Sequence, residues 1–300
     1  MSTHSPFLST QFGSHSTAYQ PCPLCGMAGF EGNACEHCFA PADVIHSIRL
    51  RDKPPRIVGV LGPSGVGKTV YLGILLDHLA RGAMNLSGFA HGAFSLSLHR
   101  NTILALERQR FPAKTPVEAD RWQWVHCEIE RKNAKVPPFD LVAPDVAGEA
   151  VAAELASPMS NPTIHALISR CDALIVLVDI LQVIADGQGQ ELFAMQLISY
   201  LTSLRPKRKK QKSDVPTAIV FTKSDLCEES VRDPAAFARS NAPGLWKLCE
   251  ARLAQFKFFA SGVAGSSGWL IDSEGRESLI PLRVEPKGII EPFAWLAGQI

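Results

Sequence analysis

From Arg56 onward, short apolar runs alternate with longer stretches in which apolar positions recur every three or four residues. That alternation is expected of an α/β domain built on a largely parallel sheet. The runs predict strands near 56–61, 122–130, 139–144, 173–179, 216–221 and 256–261. The periodic stretches predict helices near 68–81, 162–170, 188–204, 244–255 and 288–298, with a start signal at Asn161-Pro162 and a stop at Gly82. The fold class is therefore α/β, a mostly parallel six-stranded sheet flanked by helices over residues 56–300. Between 266 and 285, Gly268 and Gly275 punctuate the alternating Trp269, Ile271, Leu279 and Ile280, which predicts an added hairpin before the last helix. Residues 1–20 show neither period and read as a flexible tail, and residues 21–50 form a separate cysteine-bearing unit.

Composition narrows the function classes. The chain is 46% hydrophobic and 20% charged, ordinary values for a globular protein. Thirty basic against 29 acidic residues leave +1, so no global attraction to nucleic acid or anionic lipid is implied. The total hides one basic run, Arg205, Lys207, Arg208, Lys209, Lys210 and Lys212. It falls in an expected loop, as a solvated segment or as a docking site for an acidic partner; without interleaved aromatics it does not suit single-stranded nucleic acid. The most apolar stretch, Leu174–Val178, stops at Asp179, far short of a membrane span, and no secretory signal pattern opens the chain. The expected compartment is cytoplasmic.

Four of the eight cysteines cluster in two C-x-x-C pairs, Cys22/Cys25 and Cys35/Cys38. Two such turns can present four thiolates to one tetrahedral Zn²⁺. Four sulfurs close the coordination shell, so the ion is expected to be structural, stabilising a unit too small for its own core; residues 21–50 resemble the small zinc ribbons attached to many bacterial proteins. Cys127, Cys171, Cys227 and Cys249 stand singly in apolar or helical surroundings and read as core thiols. Trp122 and Trp124 alternate on one strand face, for packing or for contact with a partner.

The segment Arg56–Thr69 is an apolar strand, then G-x-x-x-x-G-K-T, then a helical pattern, which is a phosphate-binding loop in its required context. Gly62, Pro63, Ser64, Gly65, Val66 and Gly67 can wrap backbone amides around phosphate oxygens. Lys68 supplies positive charge at the β and γ phosphates, and the Thr69 hydroxyl can ligate Mg²⁺. Further on, Asp145-Val-Ala-Gly148 ends one predicted strand and Thr222-Lys223-Ser224-Asp225 ends another. Asp145 can hold Mg²⁺, the Gly148 amide can reach the γ-phosphate, and the Asp225 carboxylate can accept the N1 and N2 donors of guanine, a pair adenine lacks. The stem of Lys223 can lie along the base.

In the order and spacing of these motifs the chain resembles the translation-factor-related, Ras-like class of P-loop GTPases. The resemblance spans about residues 56–300 and implies GTP and GDP as ligands, with Mg²⁺. It assigns Ser261 and Gly262 to the loop that offers an amide to the guanine oxygen, although the Ala and Lys of the family's S-A-K are missing here. It also implies one Thr that ligates Mg²⁺ in the GTP state; Thr115 is the better placed, with Thr102 as the alternative. The pattern G-K-T-V-Y-L, a late P-F-A-W-L helix and the N-terminal cysteine unit together resemble the double-GTPase proteins of bacterial GTPase-associated conflict systems. A protein effector that reads the nucleotide state is the partner this implies.

Where Ras-like proteins carry a Gln to orient the attacking water, this chain has Glu149. A carboxylate brings negative charge toward an anionic phosphate, so slow intrinsic turnover is expected, with Lys68, Thr115 and Glu149 as the catalytic set. Two other readings stand beside the switch. One is a nucleotide-stabilised scaffold with negligible hydrolysis. The other is an ATPase of another P-loop class that uses Asp179 as its metal-binding acid.

Overall fold

The computed structural model describes residues 21–300 apart from 29–31, 52–53, 133–136, 187–188, 206–211, 272–274 and 276. The expected N-terminal tail and most of the basic run lie outside the described residues. Helix α1 (Ala42–Arg49) follows the cysteine pairs; then come β1 (Arg56–Leu61), α2 (Lys68–Ala80), β2 (Leu86–His91), α3 (Gly92–Glu107), β3 (Gln123–Arg131) and β4 (Phe139–Asp145). The chain continues through α4 (Gly148–Ala156), α5 (Pro162–Arg170), β5 (Ala173–Asp179), α6 (Ile180–Asp186), α7 (Gly189–Leu204) and β6 (Thr217–Thr222). Short helices α8 (Glu228–Arg232), α9 (Pro234–Asn241) and α10 (Pro243–Arg252) precede β7 (Phe256–Ala260), the pair β8 (Gly262–Ile271) and β9 (Glu277–Lys287), and α11 (Ile290–Ala297).

A seven-stranded sheet runs in the order β2-β3-β4-β1-β5-β6-β7. From β4 to β7 every pairing is parallel, and only β3 opposes its neighbours. The all-buried β5, Ala-Leu-Ile-Val-Leu-Val-Asp, lies beside β1 at its centre, as a strand covered on both faces must. Alternate residues divide between two cores: Ile57, Leu61, Leu174, Val176 and Val178 face α4 to α7, whereas Val58, Val60, Ile175 and Leu177 face α2, α3 and α11.

The α/β class and parallel sheet agree with the sequence reading, but the sheet has seven strands where six were expected. The added strand, β2, reads Leu-Ser-Gly-Phe-Ala-His and lacks an apolar run. Its Gly88 is needed because a Cβ there would stand 2.7 Å from the Leu79 Cβ and 2.8 Å from the Cys127 sulfur. Helix α4 was also unpredicted, and α3, whose stretch around Thr102 has a helical pattern, was given no bounds; both open on a glycine rather than on a side-chain cap. The four isolated cysteines carry no disulfide, and burial pushes Cys127, Cys171 and Cys249 up to about 12, as suits inert core thiols.

Two small pieces attach to opposite faces of this sheet. The cysteine unit and α1 pack through Leu24, Ile45 and Ile48 into the core that contains Ile57, Trp124 and Leu167. The β8–β9 hairpin, register Gly262↔Lys287 to Ile271↔Glu277, leaves the end of β7 and returns to α11, where Val263 and Ile289 join the other core.

Candidate functional site

The turn from β1 to α2 builds one end of a cavity of about 340 Å³. Gly65 and Gly67 have φ of +75° and +98°, where a side chain would be strained, and a Cβ on Gly62 would lie 2.8 Å from the Leu177 carbonyl oxygen. Lys68 opens α2 and is only 6% exposed. Its Nζ donates to the carbonyls of Gly62 at 3.1 Å and Pro63 at 2.9 Å. Burial lowers its ammonium to about 8, while Asp145 and Glu149 pull the other way.

Three oxygens gather beside it. Thr69 Oγ1 donates to Asp145 Oδ2 at 2.9 Å, Thr115 Oγ1 donates to the same oxygen at 3.0 Å, and the two hydroxyl oxygens lie 2.9 Å apart. Asp145 Oδ1 is buried with no hydrogen-bond partner among the described residues, and burial raises its carboxyl. Oxygens about 2.1 Å from an octahedral Mg²⁺ sit about 3 Å from one another, so this triangle has the edge lengths of one octahedral face. Thr102, the alternative to Thr115, is buried on α3, its Oγ1 2.2 Å from where a Cβ on Gly73 would stand. It does not line the cavity.

Gly148 touches the phosphate loop so closely that a Cβ would meet the Ser64 nitrogen at 2.3 Å. Next to it, Glu149 lies in the first turn of α4, and Ser64 Oγ donates to its Oε1 at 2.5 Å. That hydrogen bond is the main reason its carboxyl is held below the usual range.

The far end of the cavity is made by Thr222, Lys223, Asp225, Ser261 and Gly262. Thr222 closes β6, and Lys223 takes a left-handed conformation, φ +58°, that turns the chain toward Asp225. The Ser224 amide donates to the Ser261 carbonyl at 3.1 Å, tying the two loops together. A Cβ on Gly262 would fall 2.5 Å from Asp225 Oδ1, so the small residue leaves that carboxylate room. Burial raises Asp225, with Lys223 opposing. Asp179 does not join the oxygen triangle: Lys223 Nζ donates to its Oδ2 at 2.5 Å.

Apart from this cavity, the four sulfurs of Cys22, Cys25, Cys35 and Cys38 lie within 4.8 Å of one another and all four residues are buried. Cys22 and Cys38 are 3.8 Å apart, Cys25 and Cys35 3.7 Å. Ligands about 2.3 Å from a tetrahedral Zn²⁺ stand about 3.8 Å apart, so the cluster is compatible with zinc. Thiol hydrogen bonds, from Cys25 first and Cys38 second, pull Cys22 toward thiolate.

Sequence reasoning missed part of the cavity wall. Phe111 and Pro112 precede Thr115, while Val263, Ala264, Ser267, Leu279 and Ile289 come from the hairpin and the turn after it. Nothing local distinguished these residues from ordinary loop and strand positions.

A family model described as Double-GTPase 2 matches residues 56–271. The hemin import ATP-binding protein HmuV of Pseudomonas putida is 43% identical over 53 residues, which are 17% of this chain and 21% of that protein. The chain thus spans about a fifth of the curated relative it matches. The S. cerevisiae Ski7 GTPase-like domain bound to GTP is 16% identical, with a TM-score of 0.37, over 73% of this chain and 45% of that one. The same domain bound to GDP and inorganic phosphate gives 0.40 at the same identity and coverage.

Proposed function

The chain belongs to the Double-GTPase 2 family, and from that premise we propose that it is a Mg²⁺-dependent switch that binds GTP and hydrolyses it to GDP and phosphate. The observation that carries the reading is the meeting, around one cavity, of segments from Ser64 to Thr69, Thr115, Gly148–Glu149, Thr222–Asp225 and Ser261–Gly262.

In this mechanism the loop amides of Gly62 to Gly67 and the Lys68 ammonium bind the β and γ phosphates, and those phosphates return to Lys68 the charge stabilisation that burial removes. Thr69, Thr115 and Asp145 would hold Mg²⁺, which when bound neutralises charge on the phosphate oxygens. The Gly148 amide binds the γ-phosphate. Glu149 orients the attacking water by accepting its proton-bearing edge, once the carboxylate leaves Ser64. Negative charge beside phosphate makes this step slow. Loss of the γ-phosphate frees the segments 112–120 and 146–157, which an effector protein would read. Asp225 and Lys223 select guanine, helped by Ser261 and Gly262. The cysteine unit serves as a zinc-held structural attachment. A cytoplasmic place in a bacterial conflict system follows from the family resemblance and belongs to the same proposal.

One observation favours the scaffold reading: the Glu149 carboxylate is already engaged by Ser64. The ATPase reading has no such support, because Asp179 is paired with Lys223 rather than set beside Thr69.

The deciding experiment is competition of GTP and ATP against a fluorescent guanine nucleotide with Mg²⁺, on wild type, Lys68→Ala and Asp225→Asn. The expected result is displacement by GTP far better than by ATP, loss of binding in Lys68→Ala, and a shift toward xanthine nucleotides in Asp225→Asn. Equal displacement by ATP, or unchanged guanine preference in Asp225→Asn, overturns the guanine reading.

A further inference from the structure

The β8–β9 hairpin has a job in the cavity that neither the family match nor the motifs assign. It starts at Gly262, directly after the loop of Ser261, and β8 lies against the turn Ser224–Leu226. Its other foot is equally fixed: Gly288, φ +67°, passes so near β7 that a Cβ would collide with the Ala260 carbonyl oxygen. The following Ile289 carbonyl accepts from the buried Tyr71 hydroxyl at 2.8 Å, which bolts the hairpin to the first turn of α2.

Val263, Ala264 and Ser267 of β8 and Leu279 of β9 line the cavity, while Trp269, the cross-strand partner of Leu279, and Ile271 are 69% and 63% exposed. The hairpin thus gives some side chains to the cavity and others to solvent. The opposite lip is Phe111 and Pro112, four and three residues before Thr115. That lip is tied to the hairpin as well: Gln109 Nε2 donates to the Leu282 carbonyl at 3.2 Å, and α3 lies against β9.

We propose that the cavity-lining side chains of the hairpin, Leu279 and Val263, together with Phe111, form an apolar wall over the guanine and ribose side of the bound nucleotide and control how long that nucleotide stays. The proposal rests on the guanine reading above and deepens it. Apolar walls exclude water from the polar contacts of the base, which strengthens those contacts in the lower dielectric. Departure of the nucleotide then requires the hairpin to part from the Phe111 lip, and the Gln109 hydrogen bond opposes that opening. Asp225 sets which base binds, and the wall sets its residence time.

The test is stopped-flow displacement of fluorescent GDP and GTP from the full chain, for wild type, Leu279→Asp, Leu279→Ala, Gln109→Ala and Ile271→Ser. Dissociation is expected to accelerate at least tenfold in Leu279→Asp, severalfold in Leu279→Ala and about threefold in Gln109→Ala. Association rates and the preference for GTP over ATP should stay as in wild type. Ile271→Ser, at an exposed position outside the cavity lining, should match wild type. If Leu279→Asp does not fold, Leu279→Ala and Gln109→Ala decide. Off-rates within twofold of wild type in both Leu279→Ala and Gln109→Ala overturn the wall and leave the guanine reading standing. A wild type that retains neither GDP nor GTP overturns both.

Discussion

Two clusters of polar atoms in this protein have the spacing of a metal polyhedron, yet they are built differently. The sulfurs of Cys22, Cys25, Cys35 and Cys38 stand 3.7–3.8 Å apart across the cluster, and thiols make only weak hydrogen bonds with one another. The oxygens of Thr69, Thr115 and Asp145 stand 2.9–3.0 Å apart and are joined by ordinary hydrogen bonds. The first cluster brings four thiols together with only weak bonds among them, whereas the second satisfies most of itself. The surroundings match this contrast. The cysteines sit in a continuous apolar core with Trp124 and Leu167, while Thr115 comes from a partly exposed segment without helix or strand. A closed, core-embedded cluster suits a staple, and a self-satisfied cluster that includes a loop residue suits a switch.

Removal of the cysteine-bound metal gives the largest expected effect. A zinc-selective chelator should lower the Tm by about 10 °C or more, with one metal released per chain in an indicator assay. Release of the metal without a change in melting would erase the contrast. Trp124→Ala should follow, destabilising by about 3–5 kcal/mol in denaturant melts, because the side chain is buried between the cysteine unit and the sheet. Trp122, two residues earlier and just before β3, donates its Nε1 to the Pro116 carbonyl at 2.8 Å, next to Thr115. The Trp124 variant should therefore also weaken GTP binding; undiminished affinity would show that the two clusters are independent.

The segment joining the cysteine unit to β1 gives a smaller, pH-dependent effect. Arg51 pairs with Glu128 at 2.5 Å and with Asp140 at 3.4 Å. The Arg51 hydrogen bond is the main cause holding Glu128 below the ordinary carboxylate range; Asp140, despite its burial, is held low by His126 and then Arg51. Both folded-state carboxyls titrate below their unfolded values. Their contribution is present above the unfolded carboxylate range and is lost as pH falls through the depressed folded range. Arg51→Met should accordingly lower the Tm by a few degrees at pH 7 and by much less near pH 3. An equal loss at both values would mean that Arg51 acts through packing alone. The smallest effect is expected at the oxygen triangle: omitting Mg²⁺ from the nucleotide-free protein should move its Tm by less than about 1 °C. A large shift would make that cluster a staple too.

Much of this molecule was legible because its signals are local. Gly65, Gly67 and Lys68 announce a phosphate loop, since only glycine accepts those backbone angles without strain. The central strands were legible from their apolar runs, and the hairpin from Gly268, Gly275 and alternation. Strand β2 was not, because Gly88 reflects a close approach by α2 and Cys127 that no local pattern records. Nor was the role of Leu279, whose alternation is that of any half-buried strand.

The sequence by itself determined the turns, the metal-ligand spacings and the alternation of strand and helix, because backbone conformation and side-chain period are properties of neighbouring residues. Only the tertiary structure decided that Thr115 and not Thr102 reaches Asp145, that Asp179 is held by Lys223, and that the hairpin closes on the cavity from beside Asp225. Those outcomes depend on which apolar faces bury one another across the sheet, and that choice is made by segments far apart in the chain.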